Sequence, residues 1–399
     1  MHLFRSCGHV LGGSLLIAGT TIGVGMLALP VATGPGGFMP AVVIYLLCYL
    51  FMLCTGLLLL EVCSWMPKES NLITMASKLL GMPGKAVCWV VYLFLFVTVM
   101  IAHVVGGGTV LSQILGGAMT PEISMIVYVL LFGPVIYLGT RSVDRLNLVL
   151  ISGVAITYCL FIWASSGSVK LELLKRQDWS AAWMALPVLF TAFTYQVIIP
   201  TLMTYMDRDV KKVRLTILVG TSIPLVIYLV WELLILGIVP AEGANGLLEA
   251  GVKGHNAVTP LKAILDNPFI FHVGKAFAFL TLTTSFIGLA LAFLDFLADG
   301  LKVKKTQAGR LLLCSAIFVP PLLISLVHPD IFITVLGYAG GFSCAILFGL
   351  FPPLMAWAGR YMHKHPGHSY QLFGGRAMLS LLILFAAAEV VLEIYQMLS

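Results

Sequence analysis

Gly19-Thr20-Thr21-Ile22-Gly23-Val24-Gly25-Met26-Leu27-Ala28-Leu29-Pro30 decides how this chain is read. These residues lie inside the first long apolar segment, where three glycines and two threonines interrupt what would otherwise be a plain hydrophobic helix. A helix in lipid has no water to satisfy its backbone, so it normally runs unbroken. Backbone that unwinds at membrane depth is tolerated where it lines a cavity or a ligand site. The stretch therefore predicts a helix that stops and restarts around a bound molecule.

Composition supplies the setting. Of the 399 residues 60% are apolar and only 10% are charged, against about 25% charged in soluble domains. Eleven apolar segments follow one another, at 10–33, 39–65, 86–114, 123–140, 146–166, 183–206, 215–238, 270–297, 310–327, 331–356 and 377–397. Each can cross a hydrocarbon core ~30 Å thick. None alternates apolar and polar residues as a membrane barrel strand does. The expected fold class is an all-α polytopic membrane protein with eleven transmembrane helices. The longest connection, 239–269, holds Glu242, Glu249, Lys253, His255 and Asp266 without catalytic spacing and is expected to form an external cap of short helices. No cleavable signal peptide is expected, because the first apolar run is too long and too glycine-broken.

Lysine and arginine set the orientation. With the N-terminus in the cytoplasm, 17 of the 23 fall on the inner side, and only Lys170, Lys175, Arg176, Lys253, Lys262 and Lys275 do not. An odd number of spans then leaves the C-terminus outside. The net charge of +6 reports this bias and points to no nucleic-acid partner. The eight cysteines, Cys7 among them, show no Cys-x-x-Cys spacing, which argues against a metal site or a disulfide framework; no cofactor is expected.

A second interruption appears in segment 6, Leu189-Phe190-Thr191-Ala192-Phe193-Thr194-Tyr195-Gln196-Val197-Ile198-Ile199-Pro200. Polar residues stand at mid-span, and Pro200 removes a backbone donor. Segments 1 and 6 are five apart, so they cross the membrane in opposite directions. This predicts two five-helix units of inverted topology, 1–166 and 183–356, with 377–397 as an additional helix. Paired interruptions at corresponding positions of two halves point to an alternating-access transporter with a mid-membrane site.

At such a break the N-terminal end of the second half carries roughly +0.5 charge and attracts a carboxylate. The backbone of Ile22, Gly23, Val24 and Gly25 is expected to play that part. Carbonyls of Ala18, Gly19 and Thr20, with those of Phe190, Thr191 and Ala192, are expected to take an ammonium or a cation. Together they suit an α-amino acid. Its side chain would meet Val99, Ala102, His103 and Gly106 of segment 3, Phe193, Tyr195 and Gln196 of segment 6, Thr281, Thr284 and Ser285 of segment 8, and Tyr338 of segment 10. Aromatic rings here favour an aromatic guest, although in a chain that is 11% aromatic any one ring is more often core than pocket. Ionisable groups at membrane depth are functional candidates, here Glu61, His103, Glu232 and Asp295. Glu389 and Glu393 lie outside the repeat and are assigned a peripheral role.

Several stretches together resemble the hydroxy and aromatic amino acid permeases: residues 19–30, Leu-Leu-Leu-Leu-Glu-Val (57–62), Tyr-Met-Asp (205–207), Ile-Pro-Leu-Val (223–226), Phe-Leu-Asp-Phe-Leu-Ala-Asp (293–299) and Leu-Gly-Tyr-Ala-Gly (336–340). The resemblance covers nearly the whole chain. It implies a LeuT-type fold of two inverted five-helix repeats, in the amino acid–polyamine–organocation superfamily. It further implies a bacterial inner membrane and import driven by protons. Gly19–Gly25 would bind the substrate's carboxylate and amine, and Glu61 and Asp295 are the acids of the second and eighth helix motifs. This chain departs from the family pattern at Thr194 and Gln196, where a glycine and a histidine are usual, and at Glu232, where a neutral residue is usual. Tyrosine is the first expectation for the substrate, with tryptophan and phenylalanine open. Sodium remains an alternative to the proton, since Thr281, Thr284 and Ser285 can join segment 1 carbonyls around a cation. A membrane-embedded enzyme using His103 with Glu61 or Asp295 is the rival class, and no nucleophile–base spacing supports it.

Overall fold

Span 1 departs from a straight rod. His9–Thr21 and Val24–Thr33 meet at 56°, and ten further helices among the described residues are long and apolar enough to cross a membrane. The computed structural model describes residues 2–68, 70–265, 267–363 and 370–398, with the backbone alone at 2–8, 140, 141 and 144. Asp266 and the Cys7 side chain lie outside the described residues. Span 2 is Phe38–Trp65, span 3 lies within Leu72–Ile114, span 4 is Pro121–Leu138 and span 5 Thr140–Ser165. Span 6 runs from Leu186 to Tyr205, span 7 is Val210–Ile238, span 8 Pro268–Gly300 and span 9 Gln307–Val327. Span 10 is Phe332–Met362 and span 11 Gly375–Leu398. Among the described residues there is no strand.

Short polar residues start these helices. The side chains of Asn71, Thr120, Asp209, Asn267 and Thr306 each accept a backbone N–H from the first turn that follows, donors that a helix start otherwise leaves orphaned. Between spans 1 and 2 the chain reverses at Gly37, with φ +86°, and a Cβ there would lie 2.1 Å from the Arg176 carbonyl oxygen. Only glycine meets both demands. The segment joining spans 5 and 6 is thereby held across the C-terminal end of span 1.

Gly81, at φ +73°, divides Leu72–Ile114, so a helical segment precedes span 3. Span 10 stays helical through Pro352 and Pro353, which open the piece Phe351–Trp357 directly after a π-helical stretch at Ala339–Leu350. The connection 239–269 contains the short helices Leu247–Val252 and Leu261–Ile264. It is seated on the second half of span 1, where the Ala257 N–H donates to the Leu27 carbonyl at 3.0 Å.

Candidate functional site

In span 1 the last regular bond runs from the Ile22 N–H to the Ala18 carbonyl at 2.9 Å. Gly23 then turns to extended backbone, φ −160° and ψ −144°, and the helix restarts at Val24. The Ala18 carbonyl is thus occupied. Gly19 and Thr20 are exposed, with no atom within 4 Å of the Gly19 Cβ position. The N–H groups of Val24 and Gly25 open a new helix and have no carbonyl one turn behind them.

Span 6 breaks at mid-span. Its first half ends at Ala192, and Tyr195, at φ −143° and ψ −8°, leads into a 3-10 turn at Gln196–Ile198. Pro200 sits in the first turn of the next helical piece, where it is accommodated rather than disruptive. Gln196 completes the break. Its Oε1 accepts the Tyr195 N–H at 3.0 Å, and its amide lies 3.2 Å from Thr55 Oγ1 and 3.3 Å from the Met52 carbonyl. The Tyr195 hydroxyl also donates to the Met52 carbonyl, at 3.2 Å. Phe193 packs edge-on to Tyr45 and Tyr228, with ring centroids at 6.0 and 5.3 Å. These three side chains are thus in contact with spans 2 and 7. The polar needs of the unwound backbone hold Gln196 there.

The two breaks meet. A Cβ on Gly25 would lie 2.8 Å from the Ala192 Cα, so the restarted half of span 1 rests directly on the end of the first half of span 6. The Tyr228 hydroxyl of span 7 reaches the carbonyls of both Thr21, at 2.7 Å, and Ala192, at 3.0 Å. On the other side a Gly23 Cβ would meet Ser285 Oγ of span 8 at 2.7 Å. Thr191 donates to the Leu336 carbonyl at 2.9 Å, and Gly340 approaches the Pro187 carbonyl too closely for any side chain. Thr284 is hydrogen-bonded to Asn147 of span 5, whereas the buried Thr281 hydroxyl has no partner. Tyr228 and Asn147 escaped the sequence reading. The one available signal was that Tyr228 stands a helical turn before Glu232 in an apolar span.

His103 is fully buried beside Phe286, ring centroids 6.3 Å apart. Its Nδ1 lies 2.7 Å from the Val99 carbonyl, and its Nε2 has no partner. A carbonyl only accepts, so Nδ1 carries the proton. In a neutral ring Nε2 is then a free acceptor. Val99 and Ala102 are buried alongside, and Gly106 packs against Phe332 of span 10. Tyr338 is half-buried next to Phe342.

The acids separate into kinds. Glu61 forms a buried bidentate pair with Arg360, at 2.7 and 2.5 Å, and accepts the Leu372 N–H at 3.0 Å. Asp295 is exposed and pairs with Lys305 at 2.8 Å. Glu232 is buried, in contact with the Thr33 hydroxyl and accepting from Tyr45 at 2.7 Å. No lysine or arginine among the described residues pairs with it. Glu389 and Glu393 are buried against span 10, where Gly341 makes room for Glu393.

Comparison with known proteins adds to this geometry. The sequence profile of the tryptophan/tyrosine permease family matches residues 7–393. The chain is 30% identical to the tryptophan-specific transport protein of Haemophilus influenzae, over 96% of this chain and 95% of that one. It is 32% identical to the tyrosine-specific transport system 2 of the same organism, over 94% and 93%. Among solved structures, MhsT in complex with L-phenylalanine superposes with a TM-score of 0.65 at 15% identity, covering 96% of this chain and 98% of that one. That likeness gives the fold, which is of the LeuT type.

Proposed function

The chain belongs to the tryptophan/tyrosine permease family, and from that premise we propose that it imports tyrosine or tryptophan together with a proton. It is a multi-pass inner-membrane transporter of aromatic amino acids, not an enzyme. The substrate's carboxylate would lie on the N–H groups at Gly23–Gly25, and its ammonium near the carbonyl ends of the two first halves. The observation that carries this reading is the meeting of the two breaks at Gly25, Ala192 and Tyr228. Spans 1, 2, 6 and 7 would move as one body, since Thr33, Tyr45, Phe193, Tyr228 and Glu232 interlock across them. The units 1–166 and 183–356 would supply the inverted halves, with the N-terminus inside and the C-terminus outside.

His103 supports a ring with a polar tip. Its free Nε2 acceptor suits the phenol O–H of tyrosine or the indole N–H of tryptophan, whereas phenylalanine would leave it unpaired. An unpaired buried polar atom costs about 1–3 kcal/mol.

Glu232 is the proposed proton carrier. The Thr33 hydroxyl has a single proton, and the Leu29 carbonyl lies 2.8 Å away to receive it. The contact between Thr33 and Glu232 then needs a proton from the carboxyl. A neutral Glu232 donating to Thr33 and accepting from Tyr45 satisfies every group; an anion leaves Thr33 to choose between two acceptors. Sodium coupling is the second reading, favoured by the unpartnered Thr281 hydroxyl and by Ser285 beside Gly23.

Labelled tyrosine and tryptophan uptake into proteoliposomes tests these statements. Accumulation driven by an imposed proton gradient in sodium-free buffer, and abolished by an uncoupler, is expected. Equilibration without accumulation, or accumulation only with a sodium gradient, overturns proton coupling.

A further inference from the structure

The carbonyls of Thr21 and Ala192 close the first halves of two broken helices, each a negative helix end, and they converge on one oxygen. Convergent backbone carbonyls at unwound membrane helices are cation-coordinating geometry. Here the space between them is filled from within the chain. Tyr228 is fully buried, and its one hydroxyl proton serves two acceptors at 2.7 and 3.0 Å. Its ring is fixed by Phe193 at 5.3 Å. A monovalent cation at this point would have to displace a phenol that is held on both sides.

We propose that the Tyr228 hydroxyl is a built-in substitute for a monovalent cation between the two breaks, and that it sets which ion the transporter does without. It rests on the transporter reading above and deepens it by naming an ion-selectivity residue. Removing the hydroxyl while keeping the ring leaves two negative helix ends facing a small void. Sodium then becomes a ligand that joins them, and tight substrate binding comes to require it.

The test uses purified full-length protein in sodium chloride and in choline chloride at equal ionic strength. The thermal unfolding midpoint is read without amino acid, and labelled tryptophan and tyrosine binding is read separately. Tyr228→Phe should show a higher midpoint in sodium than in choline, beyond any difference seen in the wild type. Its amino acid affinity should rise roughly 5- to 150-fold with sodium, the usual span of coupling between two bound ligands. Tyr158→Phe is the control. It removes a hydroxyl that donates to the Ile227 carbonyl of span 7 at 2.8 Å and to neither broken span, and should respond to the ions as the wild type does. Equal ion responses in the wild type and Tyr228→Phe overturn the proposal. So does a Tyr228→Phe protein that fails to fold equally in both salts, which would make the hydroxyl a structural bond only. Recovery of folded variant only in sodium supports it. Absence of aromatic amino acid binding by the wild type would refute the transporter reading and leave the unfolding comparison to judge Tyr228.

Discussion

Replacing Gly25 with alanine probes the contact between the two breaks with a single methyl group. Gly25 lies within the helix Val24–Thr33, where alanine in place of glycine should by itself stabilise by about 1 kcal/mol. The surroundings demand the opposite. The new carbon would sit 2.8 Å from the Ala192 Cα and 2.9 Å from its Cβ, where ordinary contact begins at 3.4 Å. The obstacle is backbone, so the two half-helices must separate by about 0.6 Å, and overpacking of this kind costs roughly 1–3 kcal/mol. The same separation lengthens the reach of Tyr228 to Thr21 and Ala192, now 2.7 and 3.0 Å. At 1.4 kcal/mol per tenfold, substrate affinity should fall roughly 5- to 150-fold. Labelled tyrosine and tryptophan binding to purified protein, with uptake in proteoliposomes, reads this directly. Gly288→Ala in span 8 is the internal control: nothing lies within 4 Å of the added carbon, and affinity should stay at the wild-type value. A Gly25→Ala protein that is more stable and binds normally would mean that the breaks do not cooperate in a site, and so would a Gly288→Ala protein equally impaired.

Other perturbations separate the acids by their surroundings. Glu61→Gln should lower stability by about 3–5 kcal/mol, because it strands Arg360 in a buried site; replacing both residues with apolar ones should recover much of it, measured by thermal unfolding. Asp295→Asn breaks an exposed pair worth about 0–1 kcal/mol and should leave uptake unchanged in the same vesicles. Glu232→Gln keeps a donor for Thr33 and an acceptor for Tyr45, so substrate exchange should persist while accumulation driven by a proton gradient is lost; retained accumulation in exchange-competent protein would exclude Glu232 as carrier. His103→Phe should erase the preference for tyrosine and tryptophan over phenylalanine, a change of roughly 5- to 150-fold in the ratio of their binding constants, and an unchanged ratio would place the ring tip elsewhere.

How far the chain could be read without coordinates depended on whether the deciding force was local. Lipid imposes its demand residue by residue, so eleven spans followed from apolar length alone. The first break followed from Gly19, Gly23 and Gly25, because an unwound helix needs local freedom. In span 6 the mid-span polar residues, Gln196 among them, marked the break, whereas Pro200 stands harmlessly in a first helical turn; the break falls where Gln196 accepts the backbone N–H of Tyr195. Which way Phe193, Tyr195 and Gln196 point depended on torsions inside that break and on the Met52 carbonyl of a distant span, neither of which has a sequence signature. The π-helical stretch Ala339–Leu350 was similarly hidden, with only Gly340 and Gly341 hinting at close packing.

The same distinction explains why Tyr228 and Asn147 went unread. Each is a single polar residue in an apolar span, and each meets a group more than thirty positions away: Thr21 and Ala192 for the tyrosine, Thr284 for the asparagine. Glycine and proline announce what the backbone does, but a side chain that answers a carbonyl exposed by a break is defined only once the break is built. The residues that complete such a site are therefore to be sought among isolated polar positions on the spans packed against the broken ones. By that rule the turn of span 7 that carries Tyr228 and Glu232 is the face on which substrate binding and ion coupling meet. Tyr228 holds the inner ends of both breaks, while Glu232, four residues on, holds Thr33 at the far end of the restarted helix. Both contacts lie on one turn of span 7 within the body that spans 1, 2, 6 and 7 would form, so the element that ties the breaks together also carries the carboxyl proposed to hold the proton.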